Sequence, residues 1–141
     1  MTQTPIQIGG ITVHFLVEPG ESGGSVSVFR CDMAGGSKPA APHSHDAFDE
    51  TMYGLSGVIT VTVDGTTTEL RPGEAVFIPR AAVHGFVVGE EDASMLCVAS
   101  PGLFGPAYFR EMGEVFAAPG PPDLEAAMAV MRRHGLTPAR P

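Results

Sequence analysis

The sequence predicts an all-β fold, a double-sheet jelly roll that carries short helices after its last strand. Short runs rich in β-branched and aromatic residues recur along the first hundred residues, and the 18 glycines and 13 prolines punctuate them. After Pro101-Gly102 the pattern changes, and apolar residues recur at helical spacing. At 141 residues we expect a single domain, 1–141, with a β-barrel over about 6–100 and a helical tail over about 105–135.

The strands are predicted from alternating apolar residues and from the turn signals between them. Asp64-Gly65 is the strongest hairpin signal, because this dipeptide favours the two-residue turn that joins adjacent antiparallel strands. Ser56-Gly57 and the segment 71–74 are also typical of turns. The segments expected to be extended are 11–17, 26–33, 39–45, 51–55, 58–63, 66–70, 75–79, 83–88 and 94–99.

Two amphipathic helices are expected in the tail. Helical spacing of apolar residues indicates a first helix over 106–118, and Gly120-Pro121-Pro122 interrupts it. Asp123 is a suitable N-cap for a second helix, which Gly135 would end. We expect both helices to pack on the sandwich or on a partner subunit rather than to form a lid. The apolar face of the second helix would consist of Leu124, Ala127, Met128 and Met131.

Composition excludes several classes of function. The formal net charge is −8 and Lys and Arg form no cluster, so neither nucleic acid nor an anionic membrane is an expected partner. The N-terminus has no signal-peptide pattern and no stretch approaches a membrane-spanning length, which predicts a cytoplasmic protein. Cys31 and Cys97 form no metal-binding CxxC pair. Buried reduced thiols are expected, with a structural disulfide as the alternative.

Three histidines and a glutamate form the pattern with most chemical content: His43, His45, Glu50 and His84. Imidazole and carboxylate together suit a divalent transition metal. Side chains two apart on a strand face the same side, with Cβ atoms roughly 6–7 Å apart, so both histidines of the HxH pair could reach one ion. Glu50 has the opposite parity, so the segment 46–49 must turn and place it on the next strand.

Spacing alone leaves other interpretations open. An HxH pair also arises by chance in exposed loops, and Asp49 competes with Glu50 for the carboxylate position. We interpret His14 as a strand residue and His134 as a helix-end residue, where a cation is mildly favoured. Neither is expected to bind metal.

The segment around the HxH pair resembles the first motif of the cupins, G(X)5HXH(X)3,4E(X)6G. His43-Ser44-His45 is followed by four residues and Glu50, and six further residues lead to Gly57. The leading glycine of the motif falls near Ser37 and is not matched at that position. The resemblance selects Glu50 over Asp49, because the count to the closing glycine fits Glu50.

The second cupin motif, G(X)5PXG(X)2H(X)3N, is matched with two departures. Gly73, Pro79 and His84 occupy their positions. Ala81 stands where the motif has glycine, and Val88 stands where it often has asparagine. Together the two motifs cover roughly half of the chain. The resemblance implies a cupin-type double-stranded β-helix with a metal in the barrel mouth, and usually a homodimer.

Two stretches, 43–57 and 100–109, resemble the small single-domain cupins called quercetin-dioxygenase-like. The resemblance implies one divalent metal per chain (Fe, Ni, Mn, Co, Cu or Zn) held by His43, His45, Glu50 and His84. We therefore predict a dioxygenase that acts on a small enolic or phenolic, flavonol-like compound, with dioxygen as co-substrate. Glu50 would be both metal ligand and catalytic base.

Strand parity puts Met52 on the same face as Glu50, puts Phe86 and Val88 on the same face as His84, and leaves Tyr53 in packing, away from the metal. These residues and other apolar side chains would form the wall of the substrate pocket. Two other functions remain open on the same scaffold. One is a metal-dependent isomerase, epimerase or cyclase, and the other is a non-catalytic module that binds a metal or small ligand. The predicted wall residues are Met52, Ile59, Phe77, Phe86 and Val88.

Overall fold

Two antiparallel sheets form the body of the protein in the computed structural model, which describes residues 4–37 and 41–139. A six-stranded sheet has the order β1-β2-β3-β10-β5-β8, and a five-stranded sheet has the order β11-β4-β9-β6-β7. The strands are β1 (Ile6–Ile8), β2 (Ile11–Val17), β3 (Ser27–Met33), β4 (His43–His45), β5 (Asp49–Ser56), β6 (Ile59–Val63), β7 (Thr66–Leu70), β8 (Ala75–Ile78), β9 (His84–Val88), β10 (Ala93–Ser100) and β11 (Leu136–Pro138).

Alternation of apolar residues puts one face of each sheet in the core. On β3, Phe29 and Cys31 are buried while Arg30 between them is half-buried. On β6, Ile59 and Val61 are fully buried and the residues beside them are not. A period of two is what a strand with one covered face requires. The all-β prediction is confirmed, with two short helices after the last long strand.

The hairpin predicted at Asp64-Gly65 is confirmed. Both residues have positive φ, 46° and 83°, and they connect β6 to β7. Gly57 ends β5 with φ 68°, and a Cβ at that position would lie 2.3 Å from the carbonyl oxygen of Asp92. Only glycine fits there without moving the backbone, which explains the closing glycine of the first motif.

Two three-residue strands, β1 and β11, fall outside the predicted segments because three residues carry no readable alternation. β11 pairs with β4 along its whole length, whereas β4 and β9 share the single register pair His43 and His84. The hydroxyl of Thr137 on β11 also donates to Asp46, just after β4, at 2.7 Å. The C-terminal segment therefore holds the strand that carries the HxH pair.

Of the predicted segment 39–45, residues 39 and 40 lie outside the described residues.

Helix α1 (Pro106–Ala117) packs against β1 and against helix α2 (Leu124–Arg133). Asp123 caps α2 as predicted, because its Oδ1 accepts a hydrogen bond from the amide of Ala126 at 3.0 Å. Glu111 of α1 joins the two helices. Its carboxylate accepts a hydrogen bond from Arg133 at 2.8 Å and is also paired with His134.

The predicted apolar face of α2 needs one correction. Ala127 and Met131 are buried and Met128 is half-buried, but Leu124 is 66% exposed. The helix begins at Leu124, and only its later turns are covered, where Val130 is buried instead.

Residues of both sheets and both helices share one core cluster. The division of the chain into one domain over 1–141 stays a prediction.

Within the described residues, no helix is both long and apolar enough to cross a membrane.

Candidate metal centre

Three histidines converge inside the barrel. His43 and His45 lie on β4, and His84 begins β9 directly opposite His43. One ring nitrogen from each lies within 4.8 Å of the others. The ring centroids are 4.5 to 5.2 Å apart. Such a spacing lets three imidazoles face a single ion.

Backbone carbonyls orient two of the rings. Nδ1–H of His43 donates to the carbonyl of Ala41 at 2.8 Å, and Nδ1–H of His84 donates to the carbonyl of Ala82 at 3.0 Å. Because a carbonyl only accepts, the proton sits on Nδ1 in both rings and Nε2 keeps its lone pair. A second hydrogen bond of this kind is the usual support for a metal-binding imidazole.

The loop before β9 holds the third histidine in place. The amide of Ala81 donates to the carbonyl of His45 at 2.8 Å. Ala81 adopts φ 71°, a left-handed conformation that is easier for glycine. The structure thus explains why the second cupin motif has glycine at this position.

His45 is the most deeply enclosed of the three. It is 1% exposed and stacks on Phe48 with ring centroids 4.3 Å apart. Its Nδ1 has no hydrogen-bond partner among the described residues, and its Nε2 lies 3.5 Å from Oε1 of Glu50. A buried imidazole left this way costs free energy unless a ligand satisfies it.

Burial keeps the cluster uncharged. Desolvation, followed by the proximity of His84, lowers the pKa of His43 to about 4. Desolvation and the other two imidazoles lower the pKa of His45 to about 2, and burial also lowers the pKa of His84. Neutral imidazoles are the form that binds metal. With an unsatisfied buried ring, three available lone pairs and a nearby carboxyl group, these residues fit a divalent transition metal.

Glu50 lies beside the cluster on β5 and is buried. Desolvation raises the pKa of its carboxyl group to about 7, although a hydrogen bond from the Cys97 thiol acts in the opposite direction. The three histidine nitrogens lie within 4.8 Å of one another, and among the described residues no carboxylate oxygen lies within that distance of all three. The role of Glu50 as fourth ligand therefore stays a prediction.

Asp49, the alternative carboxylate, is bound to Arg80 and does not line the cavity at the histidine cluster. Its Oδ1 accepts a hydrogen bond from the Arg80 amide at 2.8 Å, and its carboxylate pairs with the Arg80 guanidinium. These bonds hold the pKa of Asp49 below its usual value. His14 pairs with Asp32 at 3.1 Å, away from the cluster.

A cavity of about 90 Å³ opens onto the histidine cluster. Its lining is mostly aromatic and aliphatic and includes no Lys or Arg among the described residues. The barrel and the tail both contribute. The lining residues are Ile8, Ile11, Val13, Phe29, Cys31, His43, His45, Glu50, Met52, His84, Gly85, Phe86, Met95, Cys97, Phe104, Tyr108, Phe109, Met112 and Phe116.

The family assignment follows from a direct comparison. The sequence profile of the cupin domain matches residues 29–99, half of the chain, and this range includes all four predicted ligands. The protein is a cupin.

Individual relatives match this cupin over parts of their length. Quercetin 2,3-dioxygenase of Bacillus subtilis is 35% identical over 74 residues, which are 52% of this chain and 22% of that enzyme. Dimethylsulfoniopropionate lyase DddW of Ruegeria pomeroyi is 46% identical over 50 residues, which are 36% of this chain and 32% of that enzyme. The chain thus spans about a third or less of these two curated relatives.

A solved structure, KdgF from Halomonas sp., superposes with a TM-score of 0.62 at 23% identity. The match covers 70% of this chain and 86% of KdgF. At this identity the likeness shows the fold alone.

The predicted pocket wall of the cupin is only partly found. Met52 and Phe86 line the cavity. Ile59 and Val88 are buried in the core but are not among the lining residues. The prediction for Phe77 is wrong, because that side chain is 59% exposed. Phe77 precedes the buried Ile78, and neighbours on a strand face opposite sides.

The tail supplies the part of the site that the sequence prediction missed. The helix α1 packs on the sandwich as expected, but its residues Tyr108, Phe109, Met112 and Phe116 also line the cavity, which was not predicted. The available signal was the aromatic residues in segment 100–109, beside the small-cupin resemblance.

Two further residues of the lining, Cys31 and Cys97, are buried free thiols in contact with each other.

Proposed function

We propose that this cupin is a metal-dependent dioxygenase for a small enolic or phenolic compound. The observation that carries the proposal is the convergence of three neutral imidazoles, His43, His45 and His84, at an enclosed apolar cavity. A divalent metal bound there would supply a Lewis acid and a template for substrate and dioxygen. The similarity to quercetin 2,3-dioxygenase over 74 residues supports oxygen chemistry.

The carboxyl group of Glu50 is positioned to take a proton from the substrate. It lines the cavity, and its Oε1 is 3.5 Å from His45 Nε2, so a substrate oxygen at the cluster would lie near it. A base of this kind must be within hydrogen-bond reach of the proton that it removes. The apolar lining would hold the carbon skeleton and exclude water.

The size and charge of the cavity narrow the substrate class. Pockets for drug-sized ligands measure about 300–1,000 Å³, whereas this cavity measures about 90 Å³. A single-ring or open-chain enol therefore fits better than the three-ring flavonol expected from the sequence. Since the described lining has no cationic side chain, a substrate with several negative charges would be poorly stabilised.

A second candidate is non-redox chemistry on the same residues, such as isomerisation or cyclisation with a metal that only polarises a carbonyl. The 46% identity to dimethylsulfoniopropionate lyase over 50 residues supports this second candidate, because that relative is named as a lyase and not as an oxygenase. The homodimer and the cytoplasmic location remain predictions.

Oxygen uptake separates the two candidates. The protein would be purified without added metal or chelator, analysed for metals, and tested in an oxygen electrode with catechol, maltol, acetylacetone and quercetin. We expect oxygen consumption with at least one of the small compounds and none with quercetin. Conversion of substrate without oxygen consumption would support the non-redox candidate.

Glu50→Gln tests the proposed base. The amide keeps the volume of the side chain but cannot take the proton, so we expect turnover to fall by roughly 100-fold or more while most of the metal is retained. Equal loss of metal and turnover would leave Glu50 as a ligand without a base role.

A further inference from the structure

Tyr108 is the one phenol among the lining residues of the cavity. It lies on the first turns of α1 and is 4% exposed. Its ring packs against Phe104 and Phe109, with centroids 4.8 and 5.0 Å away, and edge-on to His134 at 5.7 Å. Contacts from three rings leave the side chain little freedom to move.

Although the ring of Tyr108 is held by these contacts, its hydroxyl group makes no hydrogen bond to any of the described residues. Phenol hydroxyls inside proteins normally have a hydrogen-bond partner. The Tyr108 oxygen is not among the fully buried unpartnered atoms of the described residues, which are Ser27 Oγ and His45 Nδ1, so it keeps accessible surface. Burial raises the pKa of Tyr108, and the negative charge of Glu50 raises it further. The hydroxyl group therefore stays protonated and is available as a donor in the cavity that Tyr108 and Glu50 both line.

We propose that Tyr108 is a substrate-binding residue whose hydroxyl group donates a hydrogen bond to an oxygen atom of a small hydroxycarbonyl compound held between α1 and the three histidines. This inference rests on the proposed function. It adds that the substrate carries two oxygen functions. One would lie at the histidine cluster, and the other would accept the hydrogen bond from Tyr108 on α1. The apolar neighbours on the helix, Met112 and Phe116, would contact the carbon skeleton.

The chain offers a matched pair of variants, because it has two tyrosines and no tryptophan. Tyr108→Phe removes the hydroxyl group and keeps the ring contacts. Tyr53→Phe is the control, since Tyr53 is 41% exposed and does not line the cavity. Both proteins would be loaded with zinc, which has no redox chemistry, so that binding is measured without turnover. Metal content and melting temperature would be recorded for each.

Maltol is the probe, because its single ring carries adjacent hydroxyl and carbonyl groups. We expect calorimetry to give a Kd for Tyr108→Phe that is about 10–100-fold higher than for the wild type, the range for loss of a hydrogen bond to a charged or polarised oxygen. Tyr53→Phe should match the wild type. Equal maltol affinity in Tyr108→Phe and the wild type, or no maltol binding to the wild type at millimolar concentration, would overturn the proposal.

A second measurement covers the case in which Tyr108→Phe does not fold. Tyr53→Phe labelled with 3-fluorotyrosine carries one fluorine reporter, at position 108. We expect its ¹⁹F resonance to shift when maltol binds. An unchanged resonance at saturating maltol would overturn the role of Tyr108.

Failure of the dioxygenase proposal is distinguishable from failure of this one. Maltol binding that depends on Tyr108 in a protein that never consumes oxygen would support the binding role and reject the dioxygenase. Oxygen consumption with the same kcat/KM in Tyr108→Phe and the wild type would support the dioxygenase and reject the binding role.

Discussion

The cavity of this cupin has two unlike walls. The barrel wall comprises His43, His45, Glu50 and His84, on strands β4, β5 and β9. The helix wall comprises the residues of α1 that line the cavity, which are apolar except for one phenol: Tyr108, Phe109, Met112 and Phe116. The barrel wall provides the three imidazoles that could hold a metal and the carboxyl group proposed as the base, all on paired strands. The helix wall provides shape, so we expect changes in it to have less effect on metal binding.

The largest expected effect concerns the barrel wall. His84→Ala removes one of three converging imidazoles, and we expect metal affinity to fall by more than about 100-fold, beyond the loss caused by groups that only support a ligand. Metal titration of the folded variant measures this. His14→Ala, which removes an imidazole paired with Asp32 outside the cluster, should keep wild-type affinity. Unchanged affinity in His84→Ala would remove the three-histidine site.

The next largest effect concerns the helix wall. Met112 is buried, so Met112→Ala should lower the free energy of unfolding by about 2–5 kcal/mol, as large-to-small core substitutions do. Urea unfolding of the metal-free protein measures the loss. The exposed Leu103 gives a control, because Leu103→Ala should change the same free energy by less than about 0.5 kcal/mol.

Metal affinity of folded Met112→Ala decides whether the two walls are independent. We expect it to stay within about twofold of the wild type, since backbone carbonyls of Ala41 and Ala82, and not the Met112 side chain, orient the rings of His43 and His84. A parallel loss of metal affinity would show that the helix sets the position of the histidines.

A smaller effect is expected where the tail holds the barrel wall. Thr137→Val removes the hydrogen bond to Asp46 beside the HxH pair, which should cost about 0.5–1.5 kcal/mol of unfolding free energy and weaken metal binding several-fold. Thr62→Val is the control, because the Thr62 hydroxyl bonds Thr67 on the β6-β7 hairpin at 3.0 Å. Thr62→Val should lose similar stability but no metal affinity. Equal affinities in both variants would contradict the positioning role of β11.

The smallest effect concerns pH and the junction of the two helices. Hydrogen bonds from Arg133 and His134 lower the pKa of Glu111 below its ordinary value of 4.5. Because the folded-state pKa is the lower one, the stabilisation is present above pH 4.5 and is lost as the pH falls through the folded-state value. Melting temperatures of the wild type and Glu111→Gln should therefore differ near neutral pH and converge in acid. A constant difference across this range would contradict the assignment.

Sequence alone predicted the barrel wall better than the helix wall, for a physical reason. His43 and His45 are two residues apart, and a strand of any register puts them on one side. The pairing of His43 with His84 joins two strands that are not consecutive in the chain, so it became apparent only in the structure. Ala81 was a visible departure from the motif, but its left-handed φ of 71° became apparent only in the structure.

The helix wall depends on how the tail returns to the barrel, and no short segment contains that information. Helical spacing located α1 but could not show which side of the barrel it covers. β11 has three residues and pairs with β4 from far along the chain, so neither alternation nor a turn signal marked it. Phe77 was misplaced because a four-residue strand allows two parities, and the apolar pattern fits both.

The pairing of β11 with β4 has a consequence for biosynthesis. A ribosome makes about 5–20 residues per second, so residues 136–138 follow His45 by roughly 5 to 20 s. Once His84 has been added, 39 residues after His45, the nascent chain contains every histidine of the cluster, but the strand with two of them still lacks the neighbour that pairs along its whole length. Metal capture should therefore come late, when the tail has emerged and closed the sheet, which limits the time in which a half-built site could take the wrong ion.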